Sequence, residues 1–126
     1  MSRILGKKLQ ARLDSTQADV FLSVITAQES LEGWLALVNR HRAGPDQIKG
    51  YQQFRRSIEA IGKFSLLDFD RESSGRFLLL RSLLPRVGTM DLKIAAICPA
   101  HDAMVLTRNF ADFEQVPGLR FENWLD

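Results

Sequence analysis

Three acids stand where chemistry would need them: Glu29, Asp91 and Asp112. Glu29 and Asp112 each follow an apolar run that reads as a buried strand, and Asp91 opens an apolar helix. In open α/β sheets the carboxyl ends of strands are where sites form. If the three converge, two carboxylates about 4 Å apart repel by roughly 4 kcal/mol at an effective dielectric near 20, so the cluster needs a cation or a proton. A hard divalent ion meets that need. Magnesium or manganese takes oxygen ligands, keeps several waters, and can activate a water and stabilise charge during phosphodiester cleavage. The pattern therefore points to a metal-dependent nuclease. It also suits plain helix starts: Thr26/Glu29, Thr89/Asp91 and Asn109/Asp112 all resemble an N-cap followed by an acid that favours the helix dipole. Spacing leaves both readings open, and one carboxylate can serve both. Gly33, four residues after Glu29, leaves space on the same helical face.

Other constellations are weaker. His41 and His101 lack an HxxxH or cysteine partner pattern. Ser23 and Ser30 have no nucleophile elbow, and the eight glycines form neither a Walker loop nor GxGxxG. Trp34 and Trp124 read as packing residues. Cys98 is the only cysteine, which excludes an intramolecular disulfide and a multi-thiolate zinc site, and it reads as core.

The elements that must position the acids follow from periodicity. Ile4, Leu5, Leu9 and Leu13 predict an amphipathic helix over 3–13, and Val20 to Ile25 predicts a parallel strand covered on both faces. The Thr26-x-x-Glu29 capping box opens a helix running to about His41. After Gly44-Pro45, the stripe Ile48, Tyr51, Phe54, Ile58 and Ile61 predicts an antiparallel second helix. Phe64 to Phe69 reads as a short strand, and a helix carrying Phe77, Leu80, Leu83 and Leu84 ends near Pro85. Gly88-Thr89 opens a helix that is apolar nearly all round, hence central, with Pro99 in its last turn. Ala103 to Thr107 and Leu119 to Trp124 predict two further strands. This order argues an α/β sandwich with a mostly parallel sheet.

At 126 residues the chain fits one domain, 1–126, and its 45% hydrophobic and 25% charged residues are ordinary for a globular protein. No stretch approaches the roughly 20 apolar residues a bilayer requires, and the N-terminus carries no secretory h-region, so a cytoplasmic address is expected. The net charge is +2, with Arg40, Arg42, Lys49, Arg55, Arg56 and Lys63 crowding the central segment. That run permits an RNA-facing surface without demanding one.

The segment Gly88-Thr-Met-Asp-Leu-Lys-Ile-Ala-Ala-Ile97, followed by Ala100-His101, Met104-Val-Leu-Thr-Arg-Asn109, Asp112-Phe113 and Val116-Pro-Gly-Leu119, resembles the C-terminal half of VapC-like PIN domains. Val24 to Gly33 is similar to the strand and acidic helix start of that family. The resemblance implies a three-layer α/β/α fold whose clustered acids hold Mg2+ or Mn2+ for endoribonuclease action. It also implies a type II toxin neutralised by a cognate antitoxin, acting on RNA and assembled as a homodimer. Carried over by position, Asp91 falls on a metal acid, Glu29 on another, and Asp112 or its neighbour Asn109 on a variable fourth place. Thr89 matches a small polar position that could orient Asp91 or a water, and Arg86 and Arg108 could meet phosphate. The family begins with an apolar central strand ending in an Asp-Thr-like motif. This sequence starts at the first helix, and Asp14 does not fill that place, so the expectation is a truncated PIN domain lacking that strand and its acid. A catalytically inactive remnant, binding an antitoxin or a homologous subunit, is the alternative.

Overall fold

Ser23 marks the change from strand to helix near the start of the fold. The computed structural model describes residues 11, 12, 15, 19–107 and 109–123. Among them, Phe21–Ser23 forms β1 and Val24–Arg40 forms α1. Ser23 is extended, and its Oγ accepts from the Thr26 backbone N–H at 3.0 Å. The helix therefore starts ahead of the expected Thr26 box. Ser23 is the N-cap because its extended backbone lets the hydroxyl reach the third helical N–H. Thr26 becomes the third helical residue and Glu29 moves into the second turn. The strand is correspondingly shorter than Val20 to Ile25, and Phe21 is 47% exposed, so the run is not covered on both faces.

Gly44 takes φ 88°, a left-handed turn that glycine adopts without a Cβ clash, and Pro45 opens α2, Pro45–Ile61. The helical hairpin forms as expected, but its seam is not the apolar stripe. Ile48, Tyr51 and Ile58 are exposed, whereas Gly50 and Ser57 are buried. A Cβ on Gly50 would lie 3.2 Å from Val38 Cα, and the Ser30 and Ser57 hydroxyls meet at 2.9 Å. Close backbone approach selects small residues for the seam, which turns the larger side chains to other sides of α2.

Strand β2, Ser65–Leu67, pairs parallel with β1 in the register Phe21↔Ser65 to Ser23↔Leu67. Asp70 then caps α3, Arg71–Leu83, by accepting from the Ser73 N–H and hydroxyl at 2.9 and 2.8 Å. Leu84 closes α3 immediately before Pro85.

Helix α4, Thr89–Ala100, is the central element the sequence predicts. Leu92, Ala96 and Ile97 are wholly buried, each larger side chain contributing about 1.5–3 kcal/mol. Its end is closed by the Ala103 N–H donating to the Cys98 carbonyl at 2.7 Å, with Asp102 left-handed at φ 53°. Cys98 is core as expected, and burial pushes its thiol up to about 11. It packs with Ala95, Val105, Phe113 and Val116.

Strand β3, Val105–Leu106, the short helix α5, Phe110–Phe113, and strand β4, Phe121–Glu122, complete the described chain. β3 and β4 pair parallel. The described strands thus form two parallel pairs, β1–β2 and β3–β4, both against α4, and no described strand joins them. The α/β class and the parallel pairing are as expected. The helix expected over 3–13 lies largely outside the described residues, as do Asp14 and Trp124. Among the described residues, no helix is long and apolar enough to cross a membrane.

Candidate metal centre

Asp91 is the third residue of α4, held by a helix whose next residue, Leu92, is wholly buried. Asn109 and Asp112 come from a different segment, the turn after β3 and the start of α5. The Asn109 backbone N–H donates to Thr107 Oγ1 at 2.9 Å, which fixes the turn, and the Asp112 N–H donates to Asn109 Oδ1 at 3.4 Å. This makes Asn109 the cap of α5, as the sequence suggested. Its amide also looks outward: Nδ2 donates to Asp91 Oδ2 at 3.0 Å and to Asp112 Oδ2 at 3.2 Å. One amide therefore bridges two carboxylates.

The electrostatics follow from that crowding. The Asp91 carboxyl is pushed up to about 6, first by burial, then by hydrogen bonding and charge from Asp112, then by the charge of Glu29. The Asn109 amide opposes this by stabilising the carboxylate. Glu29 is also raised, by burial and by Glu32 beside it on α1. Its charge in turn raises Asp91. Among the described residues, no three of His, Cys, Asp and Glu gather tightly enough to enclose an ion.

Of the residues singled out from sequence, Asp91, Asn109 and Asp112 are brought together and Glu29 lies near them. Thr89 does not bond to Asp91 among the described hydrogen bonds; its hydroxyl accepts from Arg81 Nη1 at 3.3 Å. Arg86 is exposed in the turn between α3 and α4, and Arg108 lies outside the described residues. Sequence reading placed Ser23 inside the strand and missed it as the helix cap, whose signal is the one hydroxyl within the apolar run, three residues before Thr26. It also missed Arg81, for which no local signal exists, since an arginine in the last turn of a helix ordinarily faces water.

The pair of carboxylates suits a hard cation. Two acids share one neutral donor, and among the described residues no cationic side chain offsets the charge on Asp91. An ion such as Mg2+ keeps several waters of its own, so an open set of two or three carboxylates is an ordinary environment for it.

Parallel strands packed on a buried central helix, with acids gathered at that helix's first turn, define an α/β domain with a carboxylate site. The chain resembles the tRNA(fMet)-specific endonuclease VapC of Salmonella typhimurium, with 32% identity over 68 residues, 51% of this chain and 52% of that protein. It thus spans about half the length of that relative. A chain of VapBC-1 from nontypeable Haemophilus influenzae superposes with a TM-score of 0.76 at 17% identity, covering 96% of this chain and 87% of that one. A chain of FitAcB from Neisseria gonorrhoeae gives a TM-score of 0.67 at 25% identity, covering 97% and 88%. DNA-bound VapBC from Salmonella typhimurium gives 0.75 at 23% identity, covering 94% and 86%. No family profile matches the chain. The fold is that of the VapC-like PIN domain, as the resemblance implied.

Proposed function

We propose that this chain is the toxin of a type II toxin–antitoxin pair and acts as a metal-dependent endoribonuclease. Asp91 and Asp112 would hold Mg2+ or Mn2+, with Glu29 adding charge. The observation that carries this reading is the Asp91–Asn109–Asp112 corner at the start of α4, within a VapC-like fold. A bound divalent ion would supply activation of water and stabilisation of charge on a phosphodiester. The chain's own residues have separate tasks. Asp91 and Asp112 present oxygen ligands, and Asn109 holds the two at a fixed separation through its single amide. Arg86, exposed in the turn before α4, would meet substrate phosphate.

The structural neighbours include VapBC and FitAB complexes, which supports partner binding. Two exposed apolar stripes, Ile48, Tyr51 and Ile58 on α2 and Leu78, Leu79 and Leu83 on α3, supply surfaces for an antitoxin and for a second copy in a homodimer.

The test is cleavage of RNA with Mg2+ by the protein and by Asp91→Asn. Cleavage that needs the ion and falls at least a hundredfold in the variant supports the reading. Equal cleavage by both, or cleavage indifferent to chelation, removes it. The inactive binding protein predicts no cleavage and no stabilisation of the fold by Mg2+.

A further inference from the structure

We infer that Arg81 is the positioning residue that sets where Asp91 stands relative to Asn109 and Asp112; its consequence for metal binding rests on the function proposed above. Arg81 occupies the last turn of α3, where a cation is favoured by the helix dipole. Its Nη2 donates to two backbone carbonyls, Leu84 and Val87, each at 2.7 Å. Its Nη1 reaches the Thr89 hydroxyl at 3.3 Å. One planar guanidinium thus spans the whole connection, from the cap of α3 to the first residue of α4.

That connection has little else to define its shape. Pro85 lacks a backbone donor, and the bond from the Val87 N–H to the Leu84 carbonyl is long at 3.4 Å. Gly88, the N-cap of α4, provides no side-chain cap. The start of α4 is fixed by the wholly buried Leu92, by the buried Val87 and, on the polar side, by the Arg81–Thr89 contact. Asp91 follows Thr89 by two residues within the same helical turn. Asn109 and Asp112 are anchored independently, by Thr107 and the cap of α5. The two halves of the cluster thus sit on separate supports, and Arg81 braces the one that carries Asp91. A rigid guanidinium fork suits this task, since a lysine ammonium is a single point charge that cannot span the same three acceptors in one plane.

The experiment compares Arg81→Gln, Arg81→Lys, Thr89→Val and Asp91→Asn with the unaltered chain, at a temperature where circular dichroism shows each to be folded. Two readouts are taken: the Asn109 side-chain amide resonance without metal, and Mn2+ affinity by calorimetry. If Arg81 positions Asp91, the Asn109 amide shifts in both Arg81 variants in the direction seen for Asp91→Asn. Mn2+ affinity then falls about tenfold in Arg81→Gln and by less in Thr89→Val, as for other supports one step removed from a ligand. An Asn109 amide unmoved by either Arg81 substitution overturns the inference, whatever happens to thermal stability. Mn2+ affinity equal to the unaltered chain in both Arg81 variants, with binding abolished by Asp91→Asn, overturns it as well. If the unaltered chain takes up no Mn2+, the metal reading fails, and the amide resonance alone decides the placement by Arg81. Should Arg81→Gln not fold, Arg81→Lys and Thr89→Val decide the question.

Discussion

The Asn109 side-chain amide donates to Asp91 at 3.0 Å although eighteen residues separate the two. The same nitrogen reaches Asp112 at 3.2 Å. This one group therefore links the first turn of α4 to the start of α5 and tempers the repulsion between two carboxylates.

Replacing Asn109 with Ala removes both the bridge and the α5 cap. Loss of an N-cap side chain costs about 1 kcal/mol. Urea unfolding without metal should show a loss of that size, and Mg2+ should restore less of it than Mg2+ adds to the unaltered chain. Full restoration would mean that Asn109 does not organise the carboxylates.

Asp91 gives the metal-free protein a pH signature. Its carboxyl titrates near 6 in the folded state, above its ordinary value of 3.8. A raised carboxyl contributes most to folding below the ordinary value, and the contribution is lost as pH rises through about 6. Above that range the fold carries the repulsion among Asp91, Asp112 and Glu29. Asp91→Asn is therefore expected to stabilise the metal-free chain near neutral pH by about 1 kcal/mol, allowing for solvent screening. The gain should fade below about pH 4, where the aspartate is protonated in both folded and unfolded chains. Parallel stability curves for the two proteins between these limits would contradict the assignment.

The α1–α2 seam can be tested through its hydroxyl pair. Ser57 is buried and bonds only across the seam to Ser30 among the described contacts. Ser57→Ala leaves Ser30 without that partner and should cost about 1 kcal/mol, whereas removing both hydroxyls together should cost less than the sum of the single changes. Additive losses in a double-mutant cycle would show that the bond carries no coupling.

Helix α4 carries most of the consequence for stability. Leu92 is wholly buried directly beside Asp91. Leu92→Ala should lose about 2–5 kcal/mol, a large part of the roughly 5–15 kcal/mol that holds a domain folded. The midpoint of urea unfolding measures this, and a change under 1 kcal/mol would show that the cavity collapses.

Much of this protein was legible in its residues because the signals are local. The apolar sweep from Leu92 to Cys98 marks a buried helix wherever the chain places it, Gly44-Pro45 marks a break, and Asn109 three residues before Asp112 marks a cap. The parallel α/β class and the candidate acids followed from such patterns. Tertiary structure decided what those patterns leave open. Ser23 took the cap from Thr26 because β1 holds it extended, which put Glu29 in the second helical turn instead of the first, and the packing of α1 beside α4 lets its charge act on Asp91. Gly50 and Ser57 became the hairpin seam because backbones that close exclude larger side chains. The Asn109 bridge and the Arg81 brace depend on where separate turns set α3, α4 and α5, and no periodicity encodes that distance.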